Sequence, residues 1–243
     1  MSKYAILSDI HGNLYALLEV MKDLNNHDIK GIFLLGDLID YGMQSNEVVE
    51  YFKDDFDGNI LCNIWGNHEK AILTSDYSNF SSIRGVESAK YTNSHLNQNV
   101  KNYLNRELIK QGYFEFEIGG KKILAIHGSL LDPFWRAIFP ENVNGDYSSY
   151  DIVISGHSHY SHYFQKFYNA DDVEMRNKKI VHFINPGSVG QPRNHNPNAQ
   201  YAIIDIKDMS VSLNTVNYPR KKAMDLYDGS VDDFYRKRLE KGI

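Results

Sequence analysis

The stretch Ile32-Phe33-Leu34-Leu35-Gly36-Asp37-Leu38-Ile39-Asp40 joins a continuous apolar run directly to a polar motif. Five further short apolar runs in the chain end in the same way, in motifs that contain Asp, His or Asn. Continuous apolar runs of this length predict strands that are buried on both faces. In open α/β sheets, ligands bind just beyond the carboxyl ends of such strands. The shared placement of the motifs therefore predicts a metal site at one edge of the molecule.

Each of the motifs follows directly after a predicted strand. In chain order they are Asp9-Ile10-His11, Gly36-Asp37-Leu38-Ile39-Asp40, Gly66-Asn67-His68-Glu69, His127-Gly128, Gly156-His157-Ser158-His159 and Asn185-Pro186-Gly187-Ser188. If strand geometry continues through Asp9 and His11, both side chains leave the same face, and His157 and His159 repeat that spacing. The donors are nitrogen and oxygen without a thiolate, which favours Mn, Fe, Zn, Co or Ni over a structural zinc site. They are too numerous for one ion and sufficient for two.

Length and composition are those of an ordinary globular protein. The chain has 243 residues, of which 42% are hydrophobic and 23% charged, so it can bury a substantial core. Its first residues run into a predicted strand, which predicts no signal peptide, and no apolar stretch approaches a membrane span. The lone Cys62 fits a reducing compartment, and we expect a cytoplasmic protein. The net charge of -5 disfavours sequence-independent binding of nucleic acid.

Helical spacing occurs in the first half of the chain. Residues 12–27 predict a helix with Asn13 as its N-cap, and residues 47–53 predict a second helix. The predicted inner face of the first helix consists of Leu14, Leu17, Leu18, Met21 and Leu24. Residues 70–111 carry no ligand motif, and helical spacing runs through residues 86–108. The inner positions predicted there are Ala89, Leu96, Val100, Tyr103, Leu104 and Leu108. We interpret residues 70–111 as a helical insertion beside the site, within a single domain that spans residues 1–243.

The second half returns to strands. Residues 113–118 and 121–126 flank Gly119-Gly120 and predict a hairpin, and residues 201–206 and 211–216 predict two more strands. Residues 220–243 predict a charged helical tail whose weak anchors are Leu226, Phe234 and Leu239. The strands are too numerous for one simple doubly wound sheet. We therefore predict an α/β (α+β) fold, a four-layer sandwich of two packed mixed β-sheets flanked by helices.

The order D-x-H, G-D-x-x-D, G-N-H-E, H-G, G-H-x-H resembles that of the calcineurin-like metallophosphoesterase superfamily. All five blocks occur in register from Asp9 to His159. The segment Asn185-Pro186-Gly187-Ser188-Val189-Gly190 resembles the closing loop of the small bacterial phosphodiesterases of that superfamily. The resemblance implies one divalent metal on Asp9, His11, Asp37 and His159. It implies a second metal on Asp37, Asn67, His127 and His157.

The same resemblance implies a metal-dependent phosphoric ester hydrolase. Two divalent transition metal ions are expected, with manganese the ion that supports activity in vitro, and a metal-bridging hydroxide would attack a phosphodiester or nucleotide-like substrate. His68 is the candidate proton donor, oriented by Asp40, and a purely electrostatic role for His68 is the alternative. Arg193 is a candidate ligand of the substrate phosphate, together with Asn67 and His68.

Four other functions are alternatives to this one. Serine/threonine protein phosphatases and diadenosine tetraphosphatases have a phosphate-binding arginine where this chain has Tyr41, although Arg193 or Arg84 could supply that charge. A non-catalytic scaffold of the same fold typically loses ligand residues, and none is missing here. A nuclease is disfavoured by the net charge.

The remaining candidates have ordinary interpretations. We interpret five histidines as surface or core residues, namely His27, His95, His162, His182 and His195. Residues 132–135, which follow His127-Gly128, either form a wall of the pocket or pack as a loop. The expected partner is a small phosphorylated substrate rather than a membrane or a nucleic acid, and the sequence leaves the oligomeric state open.

Overall fold

Ten strands form two mixed sheets in residues 2–171 and 173–243, which are the residues that the computed structural model describes. In chain order the elements are β1 (Lys3–Leu7), α1 (Leu14–Leu24), β2 (Ile29–Leu34), α2 (Ser45–Glu50) with a π-helical turn (Tyr51–Asp55), β3 (Ile60–Asn63), α3 (Asn67–Thr74), α4 (Ile83–His95), α5 (Gln98–Arg106), β4 (Tyr113–Ile118), β5 (Lys121–Ile126), β6 (Ile152–Ser155), β7 (His162–Asn169), β8 (Lys178–Asn185), β9 (Ala199–Asp205), β10 (Ser210–Val216), α6 (Arg220–Met224) and α7 (Asp233–Lys241). Every helix in these residues is too short or too polar to cross a bilayer.

The first sheet has the strand order β10-β9-β1-β2-β3. β1, β2 and β3 run parallel to one another, while β9 and β10 are antiparallel to their neighbours. Between β1 and β2 the chain forms α1, which begins where the Asn13 side chain accepts a hydrogen bond from the Ala16 amide at 3.1 Å. This cap confirms the predicted start of the helix.

The second sheet has the order β4-β5-β6-β8-β7. β5, β6 and β8 are parallel, and the two edge strands are antiparallel to their neighbours. The predicted hairpin of β4 and β5 turns at Gly119 and Gly120, whose φ values of 59° and 74° lie in the left-handed region. Glycine adopts this conformation without steric cost, which suits a two-residue turn.

An apolar core lies between the two sheets. Ile6 of β1 and Phe33 of β2 belong to the same buried cluster as Ala125 of β5 and Ile154 of β6. Side chains that alternate to the opposite face of each strand form two separate clusters, one on the outer face of each sheet. The parallel strands are therefore buried on both faces, as their continuous apolar sequences predict.

The two outer faces are covered differently. The first sheet packs against the helices through a large cluster that includes Leu17 of α1, Val49 of α2 and Val100 of α5. The second sheet packs against residues 129–151, which form turns and bends and contribute Ile138 and Tyr147 to the cluster. The predicted fold class, two packed mixed sheets with flanking helices, is confirmed.

The helical spacing of residues 86–108 corresponds to two helices rather than one. α4 ends at His95, and the Asn97 side chain accepts a hydrogen bond from the Val100 amide at 2.9 Å and so begins α5. An asparagine at this position favours the start of a new helix over continuation of the old one. The predicted inner positions are all buried or half-buried, so the periodicity identified the inner face across the break.

Three local predictions were wrong or incomplete. Leu18 is 41% exposed, because the inner stripe of α1 runs through Ala16, Leu17, Val20 and Leu24. Leu226 is 38% exposed and lies between α6 and α7 rather than inside a continuous helix. β7 was not predicted, although its alternation of half-buried and exposed positions is the period-two pattern of an edge strand.

Candidate metal centre

Parallel strands from both sheets bring the polar motifs to the same rim. β1, β2 and β3 of the first sheet lead into Asp9, Asp37 and Asn67, and β5 and β6 of the second sheet lead into His127 and His157. The carboxyl ends of parallel strands meet at one edge, which explains why distant motifs converge. Donor atoms of Asp9, His11, Asp37, His127, His157 and His159 form groups within 4.8 Å of one another.

The backbone around the cluster is held in an uncommon conformation. The φ values are positive at Asp9, His11, Asp37, Asp40, Tyr41, His157 and His159, between 48° and 76°. Residues with a side chain rarely adopt this region, at a cost on the order of 1 kcal/mol or more each, so the surrounding structure must enforce it. One enforcing contact joins the two loops, since the Asp9 amide donates to the Gly36 carbonyl at 3.1 Å.

This conformation corrects the predicted reason for the pairing of Asp9 with His11. β1 ends at Leu7, and strand geometry does not continue through the motif. Instead, the backbone of both residues is in the left-handed region, and this conformation brings the two side chains to the same side. The His11 amide donates to the Asp37 carbonyl at 2.9 Å. His157 and His159 show the same departure from strand geometry.

One group of donors consists of Asp9, His11 and His159. Nε2 of His11 lies 3.3 Å from Nε2 of His159, and the latter lies 3.3 Å from Oδ1 of Asp9. The other ring nitrogen, Nδ1, donates to the Ile39 carbonyl in His11 and to the Gln191 carbonyl in His159. Both Nε2 lone pairs therefore point at each other, an arrangement that a cation between them would stabilise.

Asp9, the carboxylate of this group, has an oxygen without a hydrogen-bond partner among the described residues. This oxygen, Oδ1, is buried. Burial lowers the pKa of His11 and of His159 well below the usual value, so both rings are neutral at neutral pH. Neutral imidazoles and an unsatisfied carboxylate oxygen suit a divalent metal ion, and the residues present fit such an ion.

The second group consists of Asp37, Asn67, His127 and His157. Oδ1 of Asn67 lies 2.9 Å from Nε2 of His127 and 3.0 Å from Nδ1 of His157. His127 donates through Nδ1 to the Leu35 carbonyl at 2.7 Å, which directs Nε2 toward Asp37. Burial lowers the pKa of His157 to about 3, so this ring is also neutral.

Asp37 lies between the two groups. Its Oδ2 is 3.6 Å from Nε2 of His11 and 3.4 Å from Nε2 of His127. Burial acts to raise the pKa of Asp37, but the charges of His127 and His68 outweigh it and hold that pKa well below the usual range. Asp37 is therefore an ionised carboxylate placed where it can contact both groups.

His68 faces the cluster from the start of α3. Its Nδ1 lies 2.7 Å from Oδ2 of Asp40, and its Nε2 lies 3.9 Å from Oδ2 of Asp37. Burial acts to lower the pKa of His68, but Asp37 and the hydrogen bond to Asp40 raise it above its usual value. By position, His68 can also join His11 and Asp37 as a metal ligand.

Asp40 is held by residues that the sequence did not single out. Its Oδ1 accepts hydrogen bonds from the hydroxyls of Ser88 at 2.7 Å and Thr92 at 2.8 Å, both in α4. The carboxylate therefore orients His68 and does not cap α2, whose first turn has no side-chain cap. In the sequence, the one sign of this role was that Ser88 and Thr92 are four residues apart, which places both hydroxyls on one face of a helix.

Glu69 is a further residue whose role sequence reasoning missed. Its carboxylate is fully buried and accepts hydrogen bonds from the amides of Gly66, Asp37, Leu38 and Ile39, at 2.7 to 3.3 Å. Burial and Asp37 raise the pKa of Glu69 to about 7, while the amide hydrogen bonds act to lower it. Glu69 thus ties the loop after β2 to the start of α3. The G-N-H-E motif contained this residue, but its function is visible only from the contacts.

A cleft of about 320 Å³ opens over the cluster. Asp37, Asn67 and His68 form its floor, and Arg193 lies at its wall together with Phe80 and Trp135. The Phe80 and Trp135 rings meet edge to face at 5.3 Å, so Trp135 does wall the pocket, whereas Phe134 is buried in the core. Residues 79–82, which precede α4, also line the cleft, as do Tyr41, His157 and His159.

Arg193 and Tyr41 both line the cleft. Nε of Arg193 is buried without a hydrogen-bond partner among the described residues. The Tyr41 ring is packed between other rings, 4.6 Å from His11 and 4.3 Å from Tyr235. Five histidines, interpreted above as surface or core residues, lie outside every metal-capable group of described residues: His27, His95, His162, His182 and His195.

A sandwich of two mixed sheets thus carries buried His and Asp donors, able to hold metal, at one rim. The model of the calcineurin-like phosphoesterase superfamily domain matches residues 3–209. The chain belongs to this superfamily. Its members are metal-dependent phosphoesterases, so the chain is a phosphoric ester hydrolase with clustered His and Asp residues that are able to bind metal.

Individual relatives agree with this assignment. An uncharacterised protein of Methanocaldococcus jannaschii is 34% identical over 233 residues, which are 91% of this chain and 90% of that protein. A metallophosphoesterase from Sphaerobacter thermophilus is similar in structure, with a TM-score of 0.73, 24% identity, and coverage of 100% of this chain and 99% of that one. A protein from Pyrococcus horikoshii has a TM-score of 0.81 at 22% identity, with the same coverage. The two structural likenesses concern the fold.

Proposed function

We propose that this chain is a phosphodiesterase with a binuclear metal centre that acts on a small phosphodiester or nucleotide-like substrate. Asp9, His11, Asp37 and His159 would hold one divalent ion. Asp37, Asn67, His127 and His157 would hold the other. The position of the Asp37 carboxylate between the two donor groups is the observation that carries this proposal.

Two divalent cations, when bound, offset the negative charge of the ester and make water a nucleophile at neutral pH. The protein's own contribution begins with orientation of the donors. Backbone carbonyls of Leu35, Ile39 and Gln191 hold three imidazole rings by Nδ1 and so direct Nε2 toward the cluster. Such outer hydrogen bonds fix the tautomer and the ring direction. Manganese is the ion proposed for activity in vitro, since nitrogen and oxygen donors without thiolate suit it.

His68 is the proposed general acid. Asp40 lies 2.7 Å from Nδ1 and favours the protonated ring, which leaves the Nε2 proton directed at the cleft. The departing alkoxide needs a proton, and a histidine positioned in this way can donate it. Asp40 acts through His68 and is a positioning residue.

Arg193 and Asn67 are the proposed contacts of the substrate phosphate. Arg193 presents a guanidinium group at the wall of the cleft, with its Nε unpartnered among described residues. A planar guanidinium suits two oxygens of a phosphate group. The second candidate is hydrolysis of phosphomonoesters or of diadenosine tetraphosphate. Phosphatases and diadenosine tetraphosphatases have a phosphate-binding arginine at the position of Tyr41, and Arg193, which lines the same cleft as Tyr41, would supply that positive charge here.

The test compares esters on the purified protein supplied with Mn²⁺. Hydrolysis of bis-p-nitrophenyl phosphate in preference to the p-nitrophenyl monoester supports the diesterase, and preference for the monoester or for diadenosine tetraphosphate supports the second candidate. Asp37→Asn should lose turnover, whereas His95→Gln, which alters an exposed histidine outside the cluster, should not. Inertness with every divalent transition metal would refute both candidates and favour a non-catalytic scaffold.

A further inference from the structure

Three arginines from separate parts of the chain converge on α7. The guanidinium carbon of Arg84, in α4, lies 4.1 Å from the centroid of the Phe234 ring. That of Arg238 lies 4.5 Å from the same centroid. Arg193, in the segment after β8, is close enough for its charge to act on Arg238. We call Arg84, Arg193 and Arg238 the arginine cluster.

The arginine cluster adjoins the cleft through a pair of aromatic rings. Arg238 lies 5.9 Å from the Tyr235 ring, and Tyr235 stacks on Tyr41 with centroids 4.3 Å apart. Tyr41 lines the cleft, and so does Arg193. The cluster therefore begins inside the proposed substrate cleft and extends from it toward α7.

The arginine cluster has no ion-paired carboxylate in the part of the chain that the structure describes. Arg236, on the same helix as Arg238, pairs with Asp233. Arg238 is only 8% exposed, and its Nε has no hydrogen-bond partner among those residues. Burial lowers the pKa of Arg238 to about 10, and the charges of Arg193 and Arg84 act in the same direction.

The rings offset only part of this cost. Phe234 and Tyr235 attract the cations through their π faces, but they do not accept the in-plane N–H bonds. Buried charge without a hydrogen-bonded partner is strongly unfavourable. An anion with several oxygens would satisfy the donors and relieve the repulsion among the three cations, and phosphate is the group that guanidinium pairs suit best.

We propose that the arginine cluster is a subsite for a second phosphate group of the substrate. This inference rests on the proposed function, because it takes the scissile ester to be bound at the metal centre. It narrows the substrate to molecules that carry another phosphate beyond the bond that is cleaved. Arg193 would contact the substrate nearest the cleft, and Arg84 and Arg238 would hold the distal phosphate.

Calorimetry with simple probes tests the subsite without requiring turnover. Propyl phosphate carries one phosphate, and linear alkane bisphosphates of increasing linker length carry two. In the Mn²⁺-loaded protein we expect at least one bisphosphate to bind about tenfold or more tightly than propyl phosphate, since each charge-assisted hydrogen bond adds to affinity. The ratio of the two dissociation constants is the readout.

The double variant Arg84→Gln/Arg238→Gln should bring that ratio close to one. Arg236→Gln is the matched control, because it removes a charge from the same helix outside the cluster and should keep the wild-type ratio. If the double variant fails to fold by circular dichroism, Arg84→Gln alone, at an exposed position, must lower the ratio. A ratio near one in the wild type, or an unchanged ratio in the arginine variants, overturns the subsite.

The two proposals can fail separately. A protein that hydrolyses bis-p-nitrophenyl phosphate but shows no advantage for bisphosphates keeps the proposed function and loses the subsite. A protein that hydrolyses no ester but binds bisphosphates with an advantage that depends on the arginines loses the proposed function, and the arginine cluster then stands as a phosphate-binding site.

Discussion

Nδ1 of His68 lies 2.7 Å from Oδ2 of Asp40, and both side chains are buried. The other oxygen of Asp40 accepts hydrogen bonds from Ser88 and Thr92 of α4. The direction of the His68 ring is therefore set by residues 70–111, the segment that carries no ligand motif. This contact connects the helical segment to the proposed chemistry and supplies the first two predictions.

His68→Ala should lower kcat for bis-p-nitrophenyl phosphate by about 10² to 10⁴-fold, because the variant lacks the proton donor. Elemental analysis should still find two bound metal ions per chain, since His68 is not among the proposed ligands. Retained turnover would assign proton donation to another group. Loss of metal would place His68 in the ligand set with His11 and Asp37.

Asp40→Asn should alter the pH profile as well as the rate. Asp37 and Asp40 raise the pKa of His68, so the protonated ring persists to higher pH than in an isolated histidine. The acid must be protonated to act, and activity should therefore fall as pH rises through this pKa. Removing the Asp40 charge lowers the pKa, so the alkaline fall should move to lower pH. Rates measured from pH 5 to 10 on wild type and variant test this expectation. If activity falls at the same pH in both, Asp40 does not influence the pKa of the general acid.

Glu69→Gln should destabilise the protein by about 3 kcal/mol, because the amide presents N–H groups where two backbone donors now find an oxygen. Urea unfolding measures the change in the free energy of unfolding. Glu47→Gln, at an exposed position of α2, is the control and should stay within about 0.5 kcal/mol of wild type. Equal effects of the two variants would contradict the role assigned to Glu69.

Metal binding should release protons at neutral pH. Burial acts to lower the pKa of His127, but Asp37 and the hydrogen bond to it raise that pKa to about 9. The ring is therefore protonated at pH 7 in the metal-free protein and must lose its proton to ligate. Affinity for Mn²⁺ should rise with pH up to about 9 and level off above it. Calorimetry in buffers of different ionisation enthalpy counts the protons, and binding without proton release would exclude His127 as a ligand.

The sequence predicted those site residues that belong to a local pattern. Asp9, Asp37 and His127 each follow an apolar run, and the position of strand ends in parallel sheets implies that they meet. Glu69 lies in the same motif as Asn67, yet nothing in the motif distinguishes a carboxylate that binds metal from one that binds four amides. That difference depends on the direction of the side chain relative to a loop 30 residues earlier in the chain.

The arginine cluster lay beyond sequence reasoning for a similar reason. Arg84, Arg193 and Arg238 are separated by more than a hundred residues from first to last. The sequence indicated Arg193, and as an alternative Arg84, as a phosphate contact, but it gave no sign of Arg238 or of the three residues lying together. Only the packing of α7 against α4 brings Arg84 and Arg238 to the same Phe234 ring, beside the cleft that Arg193 lines.

The amino-acid sequence by itself determined most of the strands, most of the buried helix positions and the candidate metal donors, because periodicity and strand-end placement are local properties of the chain. Tertiary structure alone decided which backbone conformation presents those donors, which hydroxyls orient Asp40 and which cations remain unpaired. These features arise from contacts between segments far apart in the chain, where burial and geometry rather than residue type determine what a side chain does.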